Sequence, residues 1–182
     1  MKHTVAGIQS MNMFGIPHVG ADVCGYKGSK RDDEMCARWI QLSTFYPLAR
    51  SNQNDKNGDA TDEPQEPYAI KDPKFAGWAT AAIQDRYQYL RHMYTCLYEV
   101  SQWSGSCIDP AFYYYPTDEN LYLDTSASFM VGGALLVTPV LEGGDPKTIK
   151  AYLPKGQWVN LASAALDVNG NNDDGSKIDI NA

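Results

Sequence analysis

Two acids stand at places where the chain can present them to a ligand. Asp22 closes the run Ile16-Pro17-His18-Val19-Gly20-Ala21-Asp22, and Asp109 falls early in Cys107-Ile108-Asp109-Pro110-Ala111-Phe112-Tyr113-Tyr114-Tyr115. A carboxylate at the C-terminal end of a parallel strand sits where barrel active sites are built, although it can equally cap the loop that follows. Two carboxyls about 5–5.5 Å apart can cleave a glycosidic bond with retention, one as nucleophile and the other as acid, then base. Asp22 and Asp109 are expected on neighbouring strands, but no spacing sets them face to face. Tyr26 offers a ring that either stacks on a sugar or packs against the protein. Asp55, Asp59, Asp62 and Glu63 crowd one polar stretch, the pattern of a solvated surface.

Other chemistries find little support. His3, His18 and His92 lack the spacing of a metal site, and neither a Ser nucleophile elbow nor a phosphate loop is present, so no metal or cofactor is expected. The formal net charge of −7 and pI near 4.8 oppose a phosphate backbone, which excludes nucleic acid as a partner. No apolar run reaches the roughly eighteen residues of a membrane span. The N-terminus lacks the apolar block of a signal peptide. Four cysteines, 24, 36, 96 and 107, allow three pairings, and their spacing is wrong for a zinc ribbon. They are either disulfides, which need an oxidising compartment, or separate buried thiols.

The elements that must position these residues follow from periodicity. Val5, Ile8 and Met11 predict a helix over 3–14 that Gly15 ends. Ile16 to Val19 reads as a buried strand delivering Asp22. A polar segment from Ser29 to Asp33 supplies a cap, and Met35, Trp39, Leu42 and Tyr46 carry a helix to Pro47. Residues 51–67 read as a long polar loop. From Trp78, Ile83, Tyr87, Leu90, Tyr94 and Leu97 recur at helical spacing until Gly105, and Cys107 to Tyr115 reads as the next strand. This order is α/β and favours a parallel sheet. After Pro116 short strands follow at 133–140, 148–153 and 157–161, while the Asn, Asp and Gly of the tail predict a loop or disorder.

Two parallel strands and three helices cannot close a barrel, which takes about 250 residues. A few strands of a sandwich likewise leave open edges. Both halves therefore read as cut, with a small self-contained α/β domain as the alternative.

Several motifs carry a resemblance. Phe14 to Tyr26 (Phe-Gly-Ile-Pro-His-Val-Gly-Ala-Asp-Val-Cys-Gly-Tyr) and Cys36 to Pro47 are similar to signatures of glycoside hydrolase family 31. So are Gln65-Glu66-Pro67-Tyr68, Tyr89-Leu90-Arg91, Leu97-Tyr98-Glu99, Gly133 to Leu141, and Tyr152-Leu153-Pro154 with Gly156-Gln157-Trp158. Similarity runs from about residue 3 to 161 in the family's order. Cys24 resembles the lysosomal and intestinal maltase-like α-glucosidase branch.

The resemblance implies the C-terminal part of a (β/α)8 barrel at 1–116, the beginning of an all-β sandwich at 117–168, and a loop or disordered tail at 169–182. It implies a fragment of a retaining exo-α-glucosidase that removes terminal non-reducing α-linked glucose from an oligosaccharide. An α-xylosidase, another exo-α-glycosidase, or a non-catalytic remnant binding sugar or a partner chain is the alternative. The family's nucleophile and acid/base motifs are both missing, so no residue here is expected to be catalytic, and the remainder of the parent barrel is required. The residues that carry over are substrate-binding: Asp22, which in the family lines the glucose subsite and ties down an Arg from an earlier strand, then Tyr26, Arg50 and Asn52. Asn52 stands where the family has a His that hydrogen-bonds glucose, and Asp109 where it usually has Arg. Cys24 and Cys36 coincide with a pair that is disulfide-linked in lysosomal relatives, which points to a lysosomal or secreted parent whose targeting segment lies upstream.

Overall fold

The computed structural model describes residues 1–26, 31–53, 64–144, 146, 148–161, 168–172 and 175–181. Ser29 and the acids Asp55, Asp59, Asp62 and Glu63 lie outside these described residues.

Helix α1 spans Lys2–Met13 and buries Val5, Ile8, Gln9 and Asn12, while Met11 points outward. Its end runs past Met13: Gly15, at φ +83, donates to the Asn12 carbonyl, and the Ile16 amide reaches back to Met11. Pro17 then lacks an N–H for any ladder. Strand β1 therefore begins at Gly20 and covers Gly20–Val23, four residues later than the Ile16 start the sequence suggests, with Asp22 inside it.

Helix α2, Asp33–Ser43, starts from Asp32, whose carboxylate accepts the Met35 amide at 2.7 Å. It ends at Ser43, ahead of Pro47, and a turn leads into β2, Leu48–Ser51. Strands β1 and β2 pair in parallel, with Gly20 opposite Leu48 and Asp22 opposite Arg50. A Cβ on Gly20 would collide with the Leu48 carbonyl oxygen, so the two strands meet this closely only because the residue is glycine.

After a short 3-10 turn at Pro67–Ala69 comes α3, Pro73–Trp103, one helix of 31 residues. Asp72 caps it through the Lys74 amide, and Pro73 occupies the first position, where its missing N–H costs nothing. The helix thus begins five residues ahead of Trp78. Its buried face is Ala79, Ala82, Met93 and Cys96, and small residues let it lie close against α2. The stripe of Ile83, Tyr87, Leu90 and Tyr94 faces outward instead, with Tyr87 and Tyr94 about three-quarters exposed at 75% and 73%.

The region from Cys107 to Tyr115 departs most from the sequence reading. Only Ile108–Asp109 is strand (β3), and Pro110 leads into a 3-10 turn at Ala111–Tyr113. β3 pairs antiparallel with β4, Phe129–Val131, which pairs with β5, Leu135–Val137. Asp109 is thus not beside Asp22 on a neighbouring strand: the two lie in different sheets. The change from parallel to antiparallel pairing falls before Ile108 and not at Pro116. Asp109 is fully buried and accepts the Tyr114 hydroxyl at 2.8 Å. Burial first, and this carboxylate second, raise the Tyr114 pKa.

Strands β6 (Thr148–Leu153) and β7 (Gly156–Val159) follow the sequence reading closely. The tail differs. Its backbone forms β8, Val168–Asn172, antiparallel to β7, and β9, Ser176–Asn181, antiparallel to β6. Partner strands supply the ladder that local composition does not favour.

One core joins the helical and sheet portions. Val5, Ile8, Val23, Trp39, Leu42, Tyr46, Met93, Ile108, Phe129 and Val131 all belong to it. Asn12 clamps α1 to β3: its side-chain oxygen accepts the Cys107 and Ile108 amides, each at 3.0 Å. Disulfide Cys96–Cys107, Cα atoms 5.8 Å apart, ties α3 to the same strand. No helix among the described residues is long and apolar enough to cross a membrane.

Candidate functional site

Asp22 and Arg50 are the third residues of two adjacent parallel strands, and they stand opposite one another in the register. Their side chains meet, with Arg50 Nη2 3.3 Å from Asp22 Oδ1. Arg50 is 59% exposed and Asp22 29%, so both charges remain open to a polar ligand. A carboxylate accepts hydroxyl hydrogens and a guanidinium donates to hydroxyl oxygens, which suits a polyol.

The chain turns directly after Asp22. The Gly25 amide donates to the Asp22 carbonyl at 3.1 Å, and Cys24 and Gly25 both take positive φ, 72° and 101°. Such a backbone is costly for Cys24, and its disulfide to Cys36, with Cα atoms 4.5 Å apart, holds the turn against α2. Tyr26 leaves this turn 44% exposed.

Two clefts lie beside the end of β2, and Arg50 lines the first of them. One, of about 310 Å³, lies between β2, α2 and α3 and is lined by Arg50, Ser51, Gln65, Arg86 and Tyr87 among others. The second, of about 250 Å³, is lined by Ser51, Asn52, Gln53, Gln65, Glu66 and Tyr68. Ser51 and Gln65 belong to both, so the clefts are contiguous there. The structure therefore brings Asp22 and Arg50 together and sets Asn52 just beyond them. Tyr26 and Asp22 line neither cleft. Among the described residues no cluster of His, Cys, Asp or Glu is arranged to hold a metal ion.

Two residues near the site escape the sequence reading. Gln65 is buried, and its side-chain oxygen has no hydrogen-bond partner among the described residues. Arg86 reaches from α3 across to the turn between α2 and β2, donating to the carbonyls of Ser43, Thr44 and Tyr46 at 2.9, 2.9 and 2.7 Å. Burial lowers its pKa from the ordinary guanidinium value, while the neighbouring Tyr87 acts in the opposite sense. The one signal for Arg86 in the sequence is a cation beside the Ile83–Tyr87–Leu90 stripe.

Residues 1–96 match the Glycosyl hydrolases family 31 TIM-barrel domain, and residues 105–181 match the Glycosyl hydrolase family 31 C-terminal domain. The chain belongs to glycosyl hydrolase family 31. Among relatives of this family-31 chain, an alpha-glucosidase of Hordeum vulgare is 36% identical over 168 residues, 92% of this chain and 18% of the relative. The lysosomal alpha-glucosidase of Mus musculus is 35% identical over 171 residues, again 92% of this chain and 17% of the relative. The glucosidase II alpha subunit superposes with a TM-score of 0.84 at 26% identity, covering 100% of this chain and 18% of that one. A Flavobacterium johnsoniae GH31 dextranase complexed with glucose gives 0.82 at 26% identity, covering 100% of this chain and 22% of the dextranase. The family-31 chain thus spans about a fifth of the length of these relatives.

Proposed function

We propose that this chain supplies the substrate-facing rim of a retaining exo-α-glucosidase that removes terminal non-reducing α-linked glucose. The observation that carries the reading is the Asp22–Arg50 pair, set in register on two parallel strands of a family-31 chain. Barrel enzymes place their sites at the C-terminal ends of such strands. In this reading β1 and β2 belong to the C-terminal part of the barrel, and the antiparallel strands from β3 onward begin the next domain. Asp22 and Arg50 bind glucose hydroxyls, Asn52 adds a donor and an acceptor beyond them, and Tyr26 flanks the sugar. The nucleophile and the acid/base come from the rest of the parent barrel, and the parent is lysosomal or secreted, in keeping with two disulfides.

The isolated chain is expected to release no 4-nitrophenol from 4-nitrophenyl α-D-glucopyranoside above a heat-killed control. The full-length parent is expected to release it and to lose that activity on Asp22→Asn. Release by the isolated chain, or an unaffected Asp22→Asn parent, overturns the reading. Asn52 is shorter than the His that the family carries there and cannot become charged, which favours α-xyloside as the second substrate to assay.

A further inference from the structure

The turn that delivers β2 is held by one side chain from another helix. Helix α2 ends at Ser43 without a basic residue in its last turn, so it supplies no cation of its own to its negative end. Arg86 Nη1 donates to the carbonyls of Ser43, Thr44 and Tyr46, and Nη2 lies 3.4 Å from that of Pro47. The guanidinium therefore gathers oxygens from the helix end and from most of the turn, three of them sharing the two hydrogens of Nη1, and it adds a cation at the negative end of the helix.

What lies beyond the turn is the candidate site. The Leu48 amide donates to the Val19 carbonyl at 3.2 Å, and two residues further on Arg50 stands opposite Asp22. A slip of one residue would send Arg50 to the other face of the pair and Ala49 or Ser51 toward Asp22. Apart from its ladder with β1, β2 is not anchored by a buried side chain, since all four of its own are exposed. Its upstream anchor is Tyr46, fully buried, with its hydroxyl 3.1 Å from that of Thr4.

We propose that Arg86 is a positioning residue for the candidate sugar site, fixing the turn from Thr44 to Pro47 so that β2 enters its ladder with Arg50 opposite Asp22. The consequence for sugar rests on the function proposed above, whereas the effect on the Asp22–Arg50 pair does not. Lysine cannot substitute fully, because its nitrogen ends one bond short of the Nη1 position and it has no second nitrogen to reach the Pro47 carbonyl.

The test uses the full chain with Arg86→Gln and Arg86→Lys, read by amide hydrogen exchange and by the Arg50 Nε–H resonance. In Arg86→Gln, exchange at 48–51 is expected to accelerate about tenfold more than at 129–137, the local opening that some 1.4 kcal/mol produces. The Arg50 resonance is expected to move to its position in Asp22→Asn, and Arg86→Lys to fall between the wild type and Arg86→Gln. Equal acceleration in both segments would make Arg86 merely structural and overturns the proposal, as does an unmoved Arg50 resonance. Should Arg86→Gln fail to fold, Arg86→Lys is read by the same two signals: selective acceleration at 48–51 supports the proposal, and wild-type behaviour overturns it. Methyl α-D-glucopyranoside is titrated in parallel. A wild-type chain whose Arg50 and Asn52 signals ignore it counts against the sugar reading alone and leaves the exchange result to judge Arg86.

Discussion

Replacing Asn12 by Leu tests the clamp between α1 and β3. Asn12 is 1% exposed, and its Oδ1 accepts both the Cys107 and Ile108 amides at 3.0 Å. Leucine is of similar size but accepts nothing, so two buried N–H groups lose their partner. Each orphaned buried donor costs about 1–3 kcal/mol, which gives an expected loss of about 2–6 kcal/mol. The lost Nδ2 bond to the Ile8 carbonyl adds little, because that carbonyl still accepts a helix amide. For a chain of this size the loss is a fall in Tm of several degrees at least, since 1 kcal/mol corresponds to about 2–4 °C. Urea unfolding followed by circular dichroism would measure it. Asn12→Asp is the control, since a carboxylate keeps the acceptor and should recover part of the loss. A change below about 0.5 kcal/mol for Asn12→Leu, the range of an ordinary surface substitution, would refute the clamp.

Two further outcomes follow from the same kind of argument. Burial pushes the Asp33 carboxyl up, but the Asp72 and Lys71 amides together with Arg31 outweigh it and hold its pKa below the ordinary value. A depressed folded pKa contributes stability above the unfolded value and loses it as pH falls through the folded one. Asp33→Asn should therefore lower the urea midpoint at pH 7, with the gap to the wild type closing below about pH 4; a gap that persists at lower pH contradicts the sign. Removing the Cys24–Cys36 link with serine at both positions should cost about 3 kcal/mol on the chain-entropy argument. Before that, intact mass after alkylation without reductant should show Cys24 and Cys36 unlabelled, and free labelling of both would count against the bond.

The order of motifs was legible because it is carried by residue identity. Pairing was not, because partners are chosen in three dimensions. β2 went unread since Leu48-Ala49-Arg50-Ser51 contains no β-branched residue and follows a proline. That same omission hid the partner of Asp22: the guanidinium it meets comes from the very next strand, and Asp109 sits elsewhere. The early start of α3 was written in Asp72-Pro73, a cap followed by a first-turn proline, and was there to be read. The aromatic stripe on that helix gave its period correctly but not its buried face, which among the described residues is the adjoining flank of Ala79, Ala82, Met93 and Cys96. Arg86 offered only a cation beside that stripe, since its role depends on four carbonyls some forty residues away.

The Cys96–Cys107 bridge bears on how this sequence can be recombined with its relatives. Its two sulfurs fall in stretches matched to different family-31 domains, and Asn12 and His92 reach across the same divide, to the Cys107 amide and the Val131 carbonyl. Gly132, at φ +57, lies so close that a Cβ would press on His92 and on the Cys96 sulfur. A chimaera that exchanges everything after residue 105 therefore cuts through a shared assembly. To remain folded, the incoming sheet must bring a cysteine, a glycine and a free amide edge matched to the helices left behind.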